Sequence, residues 1–285
     1  MNLLKCCTVD DINSGKITAP GESDMKGQAL EIERVDNLPN EFQGKNQQQQ
    51  LAALRAFGPN WSLATTANLA KFAELKGRWT KIVEKDQELN QFSKTPIRLF
   101  LLKNNGWYLG QCVEKDRDNK IYERQGIGHY LDHEGNYFLC CWEKDLQHKF
   151  GLHVSQAGDY FLGEYVNGKR VYGEQYSTTE KRTFKGSFDD EELPYGAGHI
   201  YYDNERVYKG MVLKGKPHGM GTFIWPNGNY YEGSFLNGKQ HGSGDLFVVK
   251  TGDAALNESG IEVGKTDKQG KMYKSTVWEE GVLKS

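Results

Sequence analysis

Residues 208–222 read Tyr-Lys-Gly-Met-Val-Leu-Lys-Gly-Lys-Pro-His-Gly-Met-Gly-Thr, and residues 231–244 read Tyr-Glu-Gly-Ser-Phe-Leu-Asn-Gly-Lys-Gln-His-Gly-Ser-Gly. The second stretch repeats the first at an offset of 23 residues, with Tyr208, Gly210, His218 and Gly221 answered by Tyr231, Gly233, His241 and Gly244. Working outward, an aromatic residue, a spacer and usually a glycine recur at Tyr108-x-Gly110, Tyr137-x-Leu139, Phe161-x-Gly163 and Phe184-x-Gly186. A fixed period of this length marks a repeat protein, in which small units stack and each contacts mainly its neighbours.

The units read as hairpins. Turn signals fall at Asn104-Asn105-Gly106, Glu134-Gly135, Ala157-Gly158, Asn204-Glu205 and Asn227-Gly228, each followed by the aromatic strand. Strand side chains alternate between faces, so Tyr231 and Phe235 share one face with Gly233 between them, leaving space for rings. The expected fold is mainly β: an elongated single-layer antiparallel sheet of repeated β-hairpins. Its expected structural stripe is Tyr108, Tyr137, Phe161, Phe184, Tyr208 and Tyr231, with Phe188 and Phe235, a candidate groove lining.

Composition fits a thin core built from rings, since hydrophobic residues make up 37% of 285 and glycine contributes 33. With 36 basic and 38 acidic residues, the chain lacks the charge footprint of a nucleic-acid binder. The five cysteines, Cys6, Cys7, Cys112, Cys140 and Cys141, are odd in number and have no CxxC spacing, so neither a zinc site nor a disulfide framework is indicated. No apolar run approaches a membrane span or a signal peptide, and a cytoplasmic chain is expected.

Four regions are expected. Residues 1–46 lack periodicity and read as a flexible tail. Residues 47–95 form a helical preface: a stripe of Leu51, Leu54 and Phe57 ends at Gly58-Pro59, and a second helix is capped by Ser62 and stopped at Gly77. Residues 96–250 hold the hairpin array. Residues 251–285 combine a polar interruption with a degenerate terminal cap around Tyr273, Ser275 and Val277.

The segment 208–244, including Trp225-Pro-Asn-Gly between its copies, resembles two MORN (membrane occupation and recognition nexus) repeats. Residues 184–207 are similar with Tyr195-Gly-Ala-Gly in place of His-Gly-x-Gly, and 108–183 are degenerate. The resemblance implies an open sheet of hairpins with a curved groove. It also implies a scaffold role in cytoskeletal or ciliary assemblies or at membranes.

Other motifs give way to plainer readings. Gly210-x4-Gly215-Lys216 has the spacing of a phosphate-binding loop, but Pro217 replaces the hydroxyl residue that would hold magnesium, and the same spacing recurs at Gly163 and Gly233. His129 and His133 lie on a strand and turn, where a solvated histidine is expected rather than a metal ligand. His218 and His241 belong to neighbouring hairpins, each bonding at a bend. No nucleophile, base and orienter assemble, so no catalytic residue, cofactor or metal is expected. The leading expectation is a non-enzymatic scaffold whose sheet binds a protein partner, with Phe223, Trp225, Tyr230, Glu232 and Leu236 as candidate contacts. An alternative is a membrane-associated adaptor acylated at Cys6 and Cys7. Another is a small-molecule binder, because Gly77-Arg-Trp79 is similar to the opening of lipocalin-like barrels.

Overall fold

Hairpins need two kinds of turn, and the sequence signals above cover only one of them. In the computed structural model, which describes residues 32–38, 40–56, 66–86, 89, 92, 94–103, 106–249 and 270–284, sixteen antiparallel strands follow one another in chain order. The chain divides into two compact units, one ending at Gln175 and the other running from Tyr176 to Ser285.

The first unit contains β1 (Ile32–Asp36), α1 (Gln47–Ala56), α2 (Thr66–Val83), β2 (Ile97–Leu102), β3 (Trp107–Asp116), β4 (Ile121–Leu131), β5 (Tyr137–Glu143), β6 (Leu146–Val154) and β7 (Tyr160–Val166), with most of β8 (Lys169–Ser177) at its end. β1 lies inside the stretch expected to be a flexible tail. It pairs with β2 from Ile32↔Leu102 to Asp36↔Leu99, so hydrogen bonds from an existing edge order a segment whose composition carries no core signal. Asn46 and Gln49 cap α1 reciprocally: the Gln49 N–H donates to Asn46 Oδ1 and the Asn46 N–H to Gln49 Oε1, both at 3.0 Å. Ser62 and Gly58-Pro59 lie outside the described residues.

α2 does not stop at Gly77. Phe72, Leu75, Trp79 and Val83 form one buried stripe that continues past the glycine, and burying Trp79 and Val83 outweighs the roughly 1 kcal/mol that a helical glycine costs. Trp79 Nε1–H donates to the Phe150 carbonyl at 3.3 Å, and Arg78 forms a fork with Glu174 at 3.0 and 2.7 Å. The tryptophan therefore ties helix to sheet. Among the described residues β1 pairs with β2 alone, leaving an edge rather than a closed barrel, and the lipocalin-like expectation falls with it.

Register sorts this unit into two cross-strand rows. Phe100, Tyr108, Tyr130, Phe138, His153 and Phe161 face each other in sequence on one side. Leu99, Leu109, His129, Leu139, Leu152 and Leu162 do so on the other, where the helices sit. The ring equivalent to Tyr108 is thus Phe138, not Tyr137, and Cys140 takes the place of the glycine between Gly128 and Gly151. A one-residue slip moves a side chain to the opposite face. Tyr137 accordingly meets Phe72 of α2 edge-on at 5.1 Å. The phase was hidden because residues 137–142 are buried on both sides, which erases the alternation.

The second unit contains β9 (Arg182–Phe188), β10 (Pro194–Tyr202), β11 (Val207–Leu213), β12 (Lys216–Ile224), β13 (Tyr230–Leu236), β14 (Lys239–Val249), β15 (Gly270–Glu279) and β16 (Val282–Leu283). Its unexpected turns are the two-residue links Lys214-Gly215 and Asn237-Gly238. Both residues of each have positive φ (49° and 76°; 50° and 93°), as the twist of a tight hairpin demands. The Gly215 N–H donates to the Pro194 carbonyl at 3.0 Å and the Gly238 N–H to that of Pro217 at 2.8 Å, so each turn ties its hairpin to the preceding one. Gly210-x4-Gly215-Lys216 is therefore strand and hairpin turn, followed by a strand rather than the helix that phosphate binding requires.

Six glycines, Gly186, Gly198, Gly210, Gly221, Gly233 and Gly244, form an unbroken row across β9 to β14. A Cβ on Gly233 or Gly244 would collide with the Tyr231 ring, which lies over both. Each ring fills the space left by two glycines, one two residues later on its own strand and one opposite it on the next: Phe184 over Gly186 and Gly198, Tyr208 over Gly210 and Gly221, Tyr231 over Gly233 and Gly244. The row ends at Thr276, opposite Gly244. Ser275, with φ 55°, shifts the phase of β15, so Thr276 and Trp278 are buried while Val277 is 44% exposed, correcting the expected cap. Trp278 packs edge-on against Tyr231 at 5.2 Å.

Candidate binding face

The middle residue of each aromatic-x-Gly triplet points away from the ring stripe. In the first unit these residues are Leu109, Leu139 and Leu162, all buried. In the second they are Lys185, Lys209 and Glu232, all exposed. The same repeat position thus switches from covered to open, and among the described residues no helix lies over it in the second unit.

Three cross-strand rows make up the open face. The first is apolar: Tyr201, Val207, Ile224, Tyr230, Phe247 and Met272 oppose one another on six successive strands. Tyr230 and Phe247 stack at 5.0 Å. Lys185, His199, Lys209, Thr222, Glu232 and Asp245 form the second, with its basic members at one end and acidic members at the other. The third pairs Ala197 with Met211, Met220 with Ser234 and Ser243 with Val277. Met220 is 61% exposed and Met211 44%. A preformed strip of apolar side chains beside fixed charges is suited to a protein surface, where rings and methionines supply contact and charges set orientation.

Of the five candidate contacts, Tyr230, Glu232 and Leu236 share this face. Phe223 does not. It opposes Tyr208 and Tyr231 and is 3% exposed, so it belongs to the ring stripe. Trp225 is half-buried and packs edge-on against Phe223 at 5.0 Å. Tyr195, Tyr201, Met211 and Met220 went unrecognised, although their register with the triplet spacers could have located them.

The histidines divide. His133 is an exposed turn residue 3.9 Å from Glu134, whereas His129 is fully buried. His129 Nε2–H donates to the Leu54 carbonyl of α1 at 2.6 Å, which leaves Nδ1 to accept from the Tyr137 hydroxyl. Burial lowers its pKa to about 3, holding the ring neutral. His218 and His241 have buried Nδ1 atoms without a hydrogen-bond partner, so the expected bend bond is not made through that nitrogen. Cys112, Cys140 and Cys141 are buried free thiols, and burial pushes Cys112 and Cys140 up, away from reactive thiolate. Cys6 and Cys7 lie outside the described residues. Among the described residues, no group of three or more His, Cys, Asp or Glu is placed to hold a metal, and no helix is long and apolar enough to cross a membrane.

Comparison with known proteins finds no match among curated proteins. The family model for the MORN repeat matches residues 208–230 and 231–246, which contain β12, β13 and most of β11 and β14. Each match begins at a tyrosine whose ring covers two glycines of the row. Two MORN repeats thus occupy residues 208–246.

Proposed function

We propose that the chain is a non-enzymatic scaffold or adaptor that binds a protein partner through the open face of its second unit. The observation carrying this reading is the switch at one repeat position from buried leucine under helices to exposed Lys185, Lys209 and Glu232, flanked by one apolar row that is half-buried to exposed and by the exposed Met211 and Met220. Its setting is cytoplasmic, in a cytoskeletal or ciliary assembly, and the support for that is the scaffold role that the MORN resemblance implies. Capture from the native source tests the binding reading. A chain carrying Tyr230→Ser, Glu232→Lys and Leu236→Ser keeps its melting temperature and loses the wild-type partner. Retention of the partner by this folded variant refutes the reading.

A membrane-attached form of the same adaptor is the second reading, favoured by the adjacent Cys6 and Cys7, since two acyl chains anchor stably where one does not. Serine at both positions then moves the chain from the membrane to the soluble fraction. Unchanged fractionation excludes it.

A further inference from the structure

The central row of the open face is dipolar: Lys185, His199 and Lys209 occupy three successive strands, Thr222 the next, and Glu232 and Asp245 the last two. Among the described residues Lys185, Lys209 and Glu232 make no ion pair, so their charges are uncommitted. At about 4.8 Å per strand the row is roughly 24 Å long, more than two Debye lengths at physiological salt, so its two ends act as separate poles. Lone helices or peptides of one charge meet attraction at one pole and repulsion at the other. A surface with the same row, turned end for end, meets attraction at both.

We infer that the occupant of this face is a second copy of the same chain, related by a two-fold axis that lies in the interface, parallels the strands and passes between β11 and β12. This inference rests on the binding-face reading and names its occupant. Such an axis reverses the order of strands while keeping height along them. Lys185 then faces Asp245 of the second copy, His199 faces Glu232, and Lys209 faces Thr222. Because height is kept, the apolar row meets its own counterpart: Tyr201 opposes Tyr230 and Val207 opposes Ile224. The alternative axis, perpendicular to the strands, sets lysine against lysine. Only the parallel axis satisfies the charges and the apolar rows together, and a self-complementary patch of this kind is what an isologous dimer requires.

A patch six strands wide is at the small end of stable interfaces, so self-association is read up to about 100 μM. Sedimentation of the full chain is compared with an acidic variant, Lys185→Glu with Lys209→Glu, and a basic variant, Glu232→Lys with Asp245→Lys, each checked for an unchanged melting curve. The expected result is a concentration-dependent wild-type dimer, weakened at least tenfold in each variant alone and restored when the two variants are mixed. If the basic variant unfolds because Asp245 no longer accepts the Ser275 N–H, Glu232→Lys alone replaces it. A wild type that stays monomeric throughout overturns the second-copy assignment while leaving partner capture untouched. Dimers that persist in both variants, or a mixture that fails to associate, overturn it as well. Retained capture of native partners by both variants overturns instead the binding-face reading beneath it.

Discussion

The hydroxyl of Tyr208 donates to the carbonyl of Met211, three residues later on the same strand, at 2.6 Å. Tyr231 does the same to Ser234 at 3.2 Å and Tyr108 to Gln111 at 3.1 Å. In each case the register slips at that point, between Gly210 and Val212, Gly233 and Phe235, and Gly110 and Cys112. The bulge takes a carbonyl out of the ladder, and the tyrosine that covers the glycine supplies its partner. Ring, glycine and bulge are one device.

Removing the hydroxyl separates hydrogen bonding from ring burial. Tyr208→Phe is expected to cost about 1 kcal/mol, and Tyr231→Ala about 3 kcal/mol from lost burial and the cavity left behind. His133→Ala, on an exposed turn, should stay within about 0.5 kcal/mol. Denaturant titration reads all three, and equal midpoints for Tyr231→Ala and His133→Ala contradict the assigned core face.

Two glycines make opposite predictions. Gly244→Ala places a methyl into the Tyr231 ring and is expected to lose more than about 2 kcal/mol. Gly77→Ala, in α2 with nothing within 4 Å of its added carbon, is expected to gain about 0.5 to 1 kcal/mol from helix propensity. Thermal melts of the two variants should move apart in sign. A shift in the same direction for both contradicts the packing described.

Acid should loosen the first unit before its carboxylates titrate. His129 and His153 are both depressed to about 3 by burial, while the unfolded chain takes up protons near 6.5. Their contribution is complete above about pH 6.5 and lost as pH falls toward 3, at up to roughly 1.4 kcal/mol per pH unit for each ring. Denaturant midpoints measured from pH 7 to 5 should fall, and less steeply in His153→Phe, which keeps the ring contact with Phe138. A flat profile over that window contradicts neutral burial.

The hairpin array was legible because its best copies carry every signal at once: ring, glycine and turn at residues 208–244. Tyr137 was misplaced by one residue because Phe138-x-Cys140 lacks the glycine and its strand is buried on both sides. β1 left no trace in composition, since its order comes from backbone pairing with β2. Phe223 resembled a contact residue because strand alternation does not say which face is covered. That information was nonetheless present in the spacer of each triplet, leucine at 109, 139 and 162 and charged at 185, 209 and 232, once Phe138 set the phase.

Methionine oxidation offers the most direct test of the binding face, because Met211 and Met220 both stand on it. Mild peroxide followed by peptide mass analysis compares the dilute purified chain with the chain in its native assembly. The account predicts that both methionines oxidise readily in the dilute chain and are protected at least several-fold in the assembly, with Met220 changing most. Equal oxidation in the two states, with the assembly intact, would contradict it.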